Sequence, residues 1–317
     1  MRILITGVGG FVGAHLVRAL AAHEPHAEVH GVYIEPVDSP LVIPHVLDLR
    51  DEPSVKRLMD EIRPDQIYHL AGQASVRQAL DFPWDTLEHN LRPQLNLTLA
   101  MLALEMSPRM LVISSGEVYD SDVAQEKAFT ETTPLAPTNP YGVSKVGQEM
   151  IALQYFRSHG LPMLRVRPFN HFGPGQRVGF VVPDFATQIA EIEAGLRPPT
   201  IYVGNLSSER DFTDVRDVVR AYVQIMAKGE PGQVYNVASG KTQSIQSILD
   251  GLIAMSPVRI VQSVDPARFR PNSQPRTWGD AGKIQALTGW QPEIPLERTL
   301  RDVLDESRAR VGTSSPR

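Results

Sequence analysis

A short apolar run that breaks into spaced glycines and then into a helical repeat admits few folds. Residues 1–20, MRILITGVGGFVGAHLVRAL, form such a run. Arg2–Thr6 is rich in β-branched residues and reads as a buried parallel strand. Gly7, Gly10 and Gly13 follow, and Val12, Leu16, Val17 and Leu20 then repeat at helical spacing. The glycines let the chain turn sharply and let a diphosphate rest against the amides of the helix N-terminus, whose positive end favours the negative charge. The spacing is G-x-x-G-x-x-G rather than G-x-G-x-x-G. A tight strand–helix connection would explain the glycines alone; the strand before and the amphipathic helix after favour a dinucleotide.

A chain of 317 residues buries a large core, as one α/β domain with a smaller lobe or as two domains. With 31 Lys+Arg against 36 Asp+Glu the net charge is −5, which argues against nucleic acid or another polyanion as partner. Cysteine is absent, excluding disulfides and thiolate chemistry. Charged or polar residues recur from Arg2 to His15, so the N-terminus reads as a core strand rather than a signal peptide. No apolar run approaches membrane-spanning length, and a soluble cytoplasmic protein is expected. The nine histidines are scattered without metal-ligand spacing, so no metal is expected.

Further strands are expected at Glu28–Ile34, Val42–Leu47, Gln66–Leu70, Met110–Ile113, Leu161–Pro168 and Gln233–Ala238. The end of the second strand meets the adenosine ribose in dinucleotide folds, and an Arg there accommodates a 2′-phosphate. Tyr33-Ile34-Glu35-Pro36 offers no cation and leans toward NADH. Asp48, just past the third strand, either faces the adenine amino group or caps a helix, and Asp51 is the better cap for a helix reaching Ile62. Small residues at 71–75 allow close approach of a ligand. A long helix at 84–105 carries Leu87, Leu91, Leu95, Leu99 and Leu102, a stripe for the core or a subunit face.

Beyond the fifth strand stand Ser114-Ser115-Gly116-Glu117, where open α/β sheets place ligands. A helix then opens at Pro140-Tyr141-Gly142-Val143-Ser144-Lys145 and runs to about His159. Tyr141 and Lys145, four apart, share one face. A free tyrosine has a pKa near ~10, and a lysine one turn on would favour the phenolate and draw that value down. A lone Y-x-x-x-K is a weak signal; its order after a glycine turn and a strand-end serine makes it specific.

These residues together resemble the extended short-chain dehydrogenase/reductase family: Gly7, Gly10 and Gly13, Asp48-Leu49, His69-Leu70-Ala71, Ser115, Tyr141 and Lys145. The resemblance implies that Tyr141 exchanges the proton, that Lys145 lowers its pKa and holds the nicotinamide ribose, and that Ser115 binds the reacting carbonyl oxygen. It implies that Gly7, Gly10, Phe11, Val12 and Gly13 border the cofactor diphosphate, with Asp48, Leu49, Leu70, Ala71 and Gln73 as further contacts to NAD(P)H. Phe169-Asn170-His171-Phe172-Gly173-Pro174-Gly175-Gln176, Gly204-Asn205-Leu206, Arg210–Asp217 and Phe269-Arg270-Pro271 are similar to the nucleotide-sugar-modifying members, most closely the GDP-4-dehydro-6-deoxymannose reductases, then the GDP-mannose 4,6-dehydratases.

The same resemblance implies substrate contacts at Ser75, Ser115, Asn170, Val181, Gly204, Arg210 and Arg270, and a catalytic position for Glu117, where dehydratases keep a base. Surface ion pairing with Asp211, Asp214 and Asp217 is the alternative for Arg210. The sequence departs from the family at Asp120, usually glycine, and at Asn272-Ser273-Gln274, where a glutamate is general.

The expected architecture is α/β: a Rossmann-type doubly wound parallel sheet from residues 1–172 and 210–240. A smaller nucleotide-sugar lobe is expected from 173–209 and 241–311, and a loose tail at 312–317. The expected activity is NAD(P)H-dependent reduction of a C4 ketone on a GDP-linked 6-deoxyhexose, by a homodimer joined through helices 84–105 and 141–159. A 4,6-dehydratase or epimerase, and a non-catalytic cofactor-sensing protein on the same fold, are the alternatives.

Overall fold

The computed structural model describes residues 1–35, 39–120, 127–268 and 276–314. β1 (Arg2–Thr6) ends in the glycine turn, and α1 (Phe11–His23) starts on Gly10, whose extended backbone caps the helix without a side chain. β2 (Glu28–Tyr33) and β3 (Ile43–Val46) follow. α2 (Glu52–Ile62) is capped by Asp51, whose carboxylate accepts from the Ser54 amide, as the sequence suggested.

β4 (Gln66–His69), α3 (Val76–Asp81) and α4 (Pro83–Ala103) come next, then β5 (Arg109–Ile113) and a single 3₁₀ turn at Gly116–Val118. α5 (Pro140–His159) has Asn139 as its cap and proline in its first turn, and Gly160 in the left-handed region ends it. β6 (Met163–Pro168) is buried throughout. The remaining elements are β7 (Asn170–Phe172), α6 (Val181–Glu193), β8 (Thr200–Val203), β9 (Glu209–Asp214), α7 (Val215–Lys228), β10 (Val234–Val237), β11 (Thr242–Ser244), α8 (Ile245–Ala254), β12 (Val261–Val264), β13 (Arg276–Thr277), α9 (Gly282–Thr288) and α10 (Leu296–Ser314).

Seven strands form one parallel sheet in the order β10-β6-β5-β4-β1-β2-β3. Apolar clusters cover both faces. One joins α1 and α7 through Leu16, Leu20, Val218 and Tyr222; the other joins α2, α4 and α5 through Leu58, Met59, Leu97 and Ala152. Strand order reverses between β1 and β4, so the loops after them flank the crevice in which doubly wound sheets bind ligands.

Beside this sheet, β9 pairs with β7, β11 and β13, and β8 pairs with β12. These strands share a third apolar cluster with α6, α8 and α10, in which Phe185, Ile189, Leu252 and Leu304 are buried. Residues 170–172 and 210–214 therefore lie in the small sheet, not with the large one to which the sequence assigned them: β7 pairs with β9, β9 continues straight into α7, and only α7 and β10 join the main layer. The helix α10 also reaches Ser314, so residues 312–314 are helical where a loose tail was expected.

Candidate active site

The glycine turn is shaped by two close approaches. Gly7 has φ +69°, and a Cβ there would stand 2.8 Å from the backbone of Ala71. A Cβ on Gly13 would lie 2.7 Å from the Gly7 carbonyl oxygen. Any larger residue would push the β1 turn away from α1 or from the loop after β4. Thr6 adds a polar tie, its hydroxyl accepting from the Ala71 amide at 3.1 Å and meeting His69 Nδ1 at 2.8 Å. Leu70, Ala71 and Gly7 thus lie side by side across the strand reversal. Phe11, first in α1, has the ring of His171 stacked 6.3 Å away, and His15 edge-on at 5.6 Å. A cleft of ≈ 230 Å³ opens beside Gly9, Gly10, Phe11 and Arg18. Val12 sits beneath, packed against the core.

The next loop is held by one buried asparagine. Asn90 Oδ1 accepts from the Gln73 amide at 2.7 Å, and its Nδ2 donates to the Gln73 carbonyl and, at 2.7 Å, to Ser144 Oγ on α5. Ser75 caps α3 by accepting from the Gln78 amide. Asp48 is neither a cap nor free: Arg50 donates to it through Nε and, at 2.6 Å, through Nη2, which holds the carboxyl below its usual range. Leu49 is buried, and Asn96 donates to its carbonyl.

At the end of β5, Ser115 caps the 3₁₀ turn, its hydroxyl accepting from the Glu117 amide at 3.2 Å. Tyr141 lies on the first turn of α5, buried and hydrogen-bonded with Ser115. Lys145, one turn on, has Nζ 5.7 Å from the Tyr141 ring centroid. Its ammonium donates to the Ile113 carbonyl at 2.9 Å and to Gln148 Oε1 at 2.7 Å. Burial pushes Lys145 down to about 8.

The expectation that Lys145 draws the tyrosine pKa down is not met. Burial pushes Tyr141 up to about 12, with the Ser115 hydrogen bond pulling down and the Glu117 charge pushing up. The lysine spends two of its donors on Ile113 and Gln148, and the phenol is left in a dry site facing a carboxylate. Glu117 Oε2 accepts from Asn139 Nδ2 at 3.1 Å, so the cap residue of α5 also orients this carboxylate.

Arg210, on β9, is half-buried; burial pulls its pKa down, and the Glu117 carboxylate works against that, supporting its charge. The surrounding aspartates do not pair with it. Asp211 accepts from the Ser239, Gly240 and Gly279 amides, Asp214 holds Arg216, and Asp217 holds Arg220. Asn170 is exposed on β7, which pairs in parallel with β9. Val181 opens α6 and packs on the small cluster. Gly204 follows β8, in the separate two-stranded sheet, and its missing side chain admits the Arg268 carbonyl. Arg270 and Ser273 lie outside the described residues. His171 is a packed histidine as expected, bonded through Nδ1 to the Phe169 carbonyl.

Sequence reasoning missed Asn90, Asn139, Gln148, and the pair Glu149–Arg167 behind Ser114. Asn139 had a usable signal, since Asn-Pro opens helices. The buried amides of α4 and α5 carried none, because polar residues at helical spacing read as a solvated face.

The family model for GDP-mannose 4,6 dehydratase matches residues 4–303. The chain is 40% identical to the GDP-6-deoxy-D-mannose reductase of Pseudomonas aeruginosa, over 98% of both chains. It is 27% identical to the GDP-mannose 4,6-dehydratase of Vibrio cholerae, covering 96% of this chain and 93% of that one. A solved structure of RMD from Pseudomonas aeruginosa complexed with NADPH superposes with a TM-score of 0.84 at 37% identity, covering 98% of this chain and 99% of that one. The UDP-glucose 4-epimerase of Thermus thermophilus in complex with NAD gives 0.86 at 29%, covering 97% and 99%.

Proposed function

The chain belongs to the GDP-mannose 4,6 dehydratase family, and we propose that within it the protein reduces the C4 ketone of GDP-4-dehydro-6-deoxy-D-mannose to a GDP-6-deoxyhexose. It is an NAD(P)-dependent oxidoreductase, like its relatives. One observation carries the choice of reaction: identity to the reductase is 40% over 98% of this chain, against 27% to the dehydratase over 96% of it.

The nicotinamide, when bound, supplies the hydride. The protein's part is to hold and to protonate. Amides of the glycine turn and the start of α1 receive the diphosphate. Lys145 holds the ribose, and Ser115 and Tyr141, already in contact, meet the ketone oxygen from one side. Tyr141 gives its proton to that oxygen as the alkoxide forms. A phenol pushed to about 12 is protonated at neutral pH, the state that reduction requires of its acid. A dehydratase begins instead by taking a proton from a hydroxyl, and then needs a base for C5. Glu117 is what favours that second reading, but its carboxylate is bonded to Asn139 and faces Arg210, as a group that orients rather than one that shuttles.

Arg210, Asn170, Ser75 and Val181 are the substrate-side residues of this reading. The described residues of 170–214 and 241–311 form the lobe over the sugar nucleotide, against a cofactor layer from those of 1–169 and 215–240. No helix among the described residues is long and apolar enough to cross a membrane, and the reading places the enzyme in the cytoplasm. NADH is the favoured cofactor, because Arg50, the cation nearest the end of β2 in sequence after β3, is committed to Asp48.

The test supplies GDP-4-dehydro-6-deoxymannose with NADH or NADPH, and separately GDP-mannose alone. Oxidation of cofactor one for one with the keto sugar, faster with NADH, is the expected result. Conversion of GDP-mannose to a keto sugar with no net cofactor consumption would establish the dehydratase instead.

A further inference from the structure

We propose that Gln148 is a positioning residue for Lys145, setting the direction in which the ammonium can serve the cofactor ribose; this rests on the proposed function, in which Lys145 binds that ribose. An ammonium carries three N–H donors on a freely turning bond. One acceptor leaves it rotating about that contact, and two fix the direction of the third donor. Here the first acceptor is the Ile113 carbonyl, immobile at the end of β5, and the second is Gln148 Oε1 at 2.7 Å. The third donor is left over, with Tyr141 one turn back on the same face.

Gln148 is itself placed by α4. Gln94 Nε2 donates to the Gln148 carbonyl at 2.8 Å, and Thr98 Oγ1 donates to the Gln94 carbonyl at 2.8 Å. Asn90, one turn before Gln94, bonds Ser144, the neighbour of Lys145 in the chain. Beside their apolar contacts at Leu97 and Ala152, the two helices meet through these amides, all of them buried. Gln94 Oε1 lies in that seam without a partner, so the seam is not arranged for stability alone. An apolar pair would bring the helices together equally well but would leave Nζ a single acceptor.

The charged and titratable groups around Nζ are few. His69 on β4 is kept neutral by burial and by Lys145 itself. Tyr141 stays protonated, Glu117 reaches Tyr141 from the 3₁₀ turn, and Glu149 is bound to Arg167. Changes at Gln148 therefore read directly on Lys145. Gln148→Leu removes an acceptor of the charged form and lowers the pH at which Lys145 loses its proton; Gln148→Glu places a carboxylate there and raises it.

The chain has six lysines, so the ε-carbon resonances of ¹³C-lysine protein can be followed against pH without cofactor, with Lys145→Arg identifying the signal. The expected result is a Lys145 midpoint displaced downward in Gln148→Leu and upward in Gln148→Glu. The NADH dissociation constant at neutral pH should rise about tenfold in the leucine variant, the worth of one hydrogen bond to a charged group. It should stay near its original value in the glutamate variant, with KM for the keto sugar unchanged in both. If the leucine variant does not fold, the upward displacement in Gln148→Glu carries the test alone. A Lys145 midpoint unmoved in both variants, or moved the same way in both, overturns the inference. Failure of the unsubstituted protein to oxidise cofactor with the keto sugar would count against the proposed function only, because the titration needs no turnover.

Discussion

Tyr141 shows how a residue's surroundings decide the direction of its chemistry. Surrounded by α5, the β5 end and the Glu117 carboxylate, its phenol is driven above the value of a free tyrosine. Only the Ser115 hydroxyl works against this. It therefore enters the reaction as an acid. Tyr141→Phe keeps the ring and its packing and removes the transferable proton. Turnover should fall by a factor on the order of 10² or more, with cofactor affinity and thermal midpoint little changed. Steady-state rates beside a binding titration check this, and near-normal turnover in the phenylalanine variant would show that a group other than Tyr141 gives the proton. The pH dependence follows from the neighbour. Lys145 has a lowered pKa near 8, so its ammonium is present below that value and lost above it. The rate should decline as pH rises through about 8, while Tyr141, titrating higher, adds no limb in that range.

The helix α5 presents a whole row of such residues, because every fourth position faces the β5 end: Tyr141, Lys145, then Glu149. Glu149 is fully buried and receives Ser114 Oγ at 2.6 Å and both Nε and Nη2 of Arg167, while Arg165 lies 3.7 Å away. Arg167 in turn donates to the Tyr119 hydroxyl at 3.0 Å, and Tyr119 to Asn236 on β10. Removing the carboxylate strands one guanidinium, and its neighbour, away from water. Glu149→Ala should lose about 3–5 kcal/mol of stability, the cost of an uncompensated buried charge. Urea unfolding measures it, and a loss below about 1 kcal/mol would mean that water reaches Arg167 and the pair is not structural. None of this was legible in the sequence, whereas the alternation of strands and helices was. Buried parallel strands announce themselves as apolar runs, and Arg2–Thr6, Gln66–His69 and Arg109–Ile113 fall within a residue or so of expectation. Strands of two or three residues such as β7, β11 and β13 have no period to detect. The catalytic residues were legible because spacing is local; Gln148 and Glu149 take their roles from partners on other elements.

At the scale of the whole molecule, α4 is turned the unexpected way. Its leucine stripe, Leu87, Leu91, Leu95, Leu99 and Leu102, is only partly buried, while Thr86, Asn90, Gln94 and Thr98 are fully so. The polar seam against α5 takes the inner face, and the leucines are displaced to the flank. Next to them α5 exposes Val143 and Met150, and the start of α4 exposes Phe82 and Trp84. An exposed apolar strip of this length marks an association site. Two adjacent parallel helices, paired in one direction through Asn90–Ser144 and Gln94–Gln148 and set against their own copies across a two-fold axis, would close it as a four-helix bundle. The expected state is therefore a homodimer through α4 and α5, sedimenting at twice the 35.1 kDa of the chain. Leu95 and Met150 touch neither the seam nor the catalytic row in the hydrogen-bond network. Charges placed there should repel across the axis without disturbing Lys145 or Gln148. Leu95→Glu with Met150→Glu should give a folded monomer by sedimentation velocity, with an unchanged Lys145 titration. Because α5 carries the proton donor on its opposite face, loss of its outer support should lower turnover more than cofactor affinity. A parent chain that sediments as a monomer at micromolar concentration, or a doubly substituted one that remains dimeric, would show that this strip is covered in some other way.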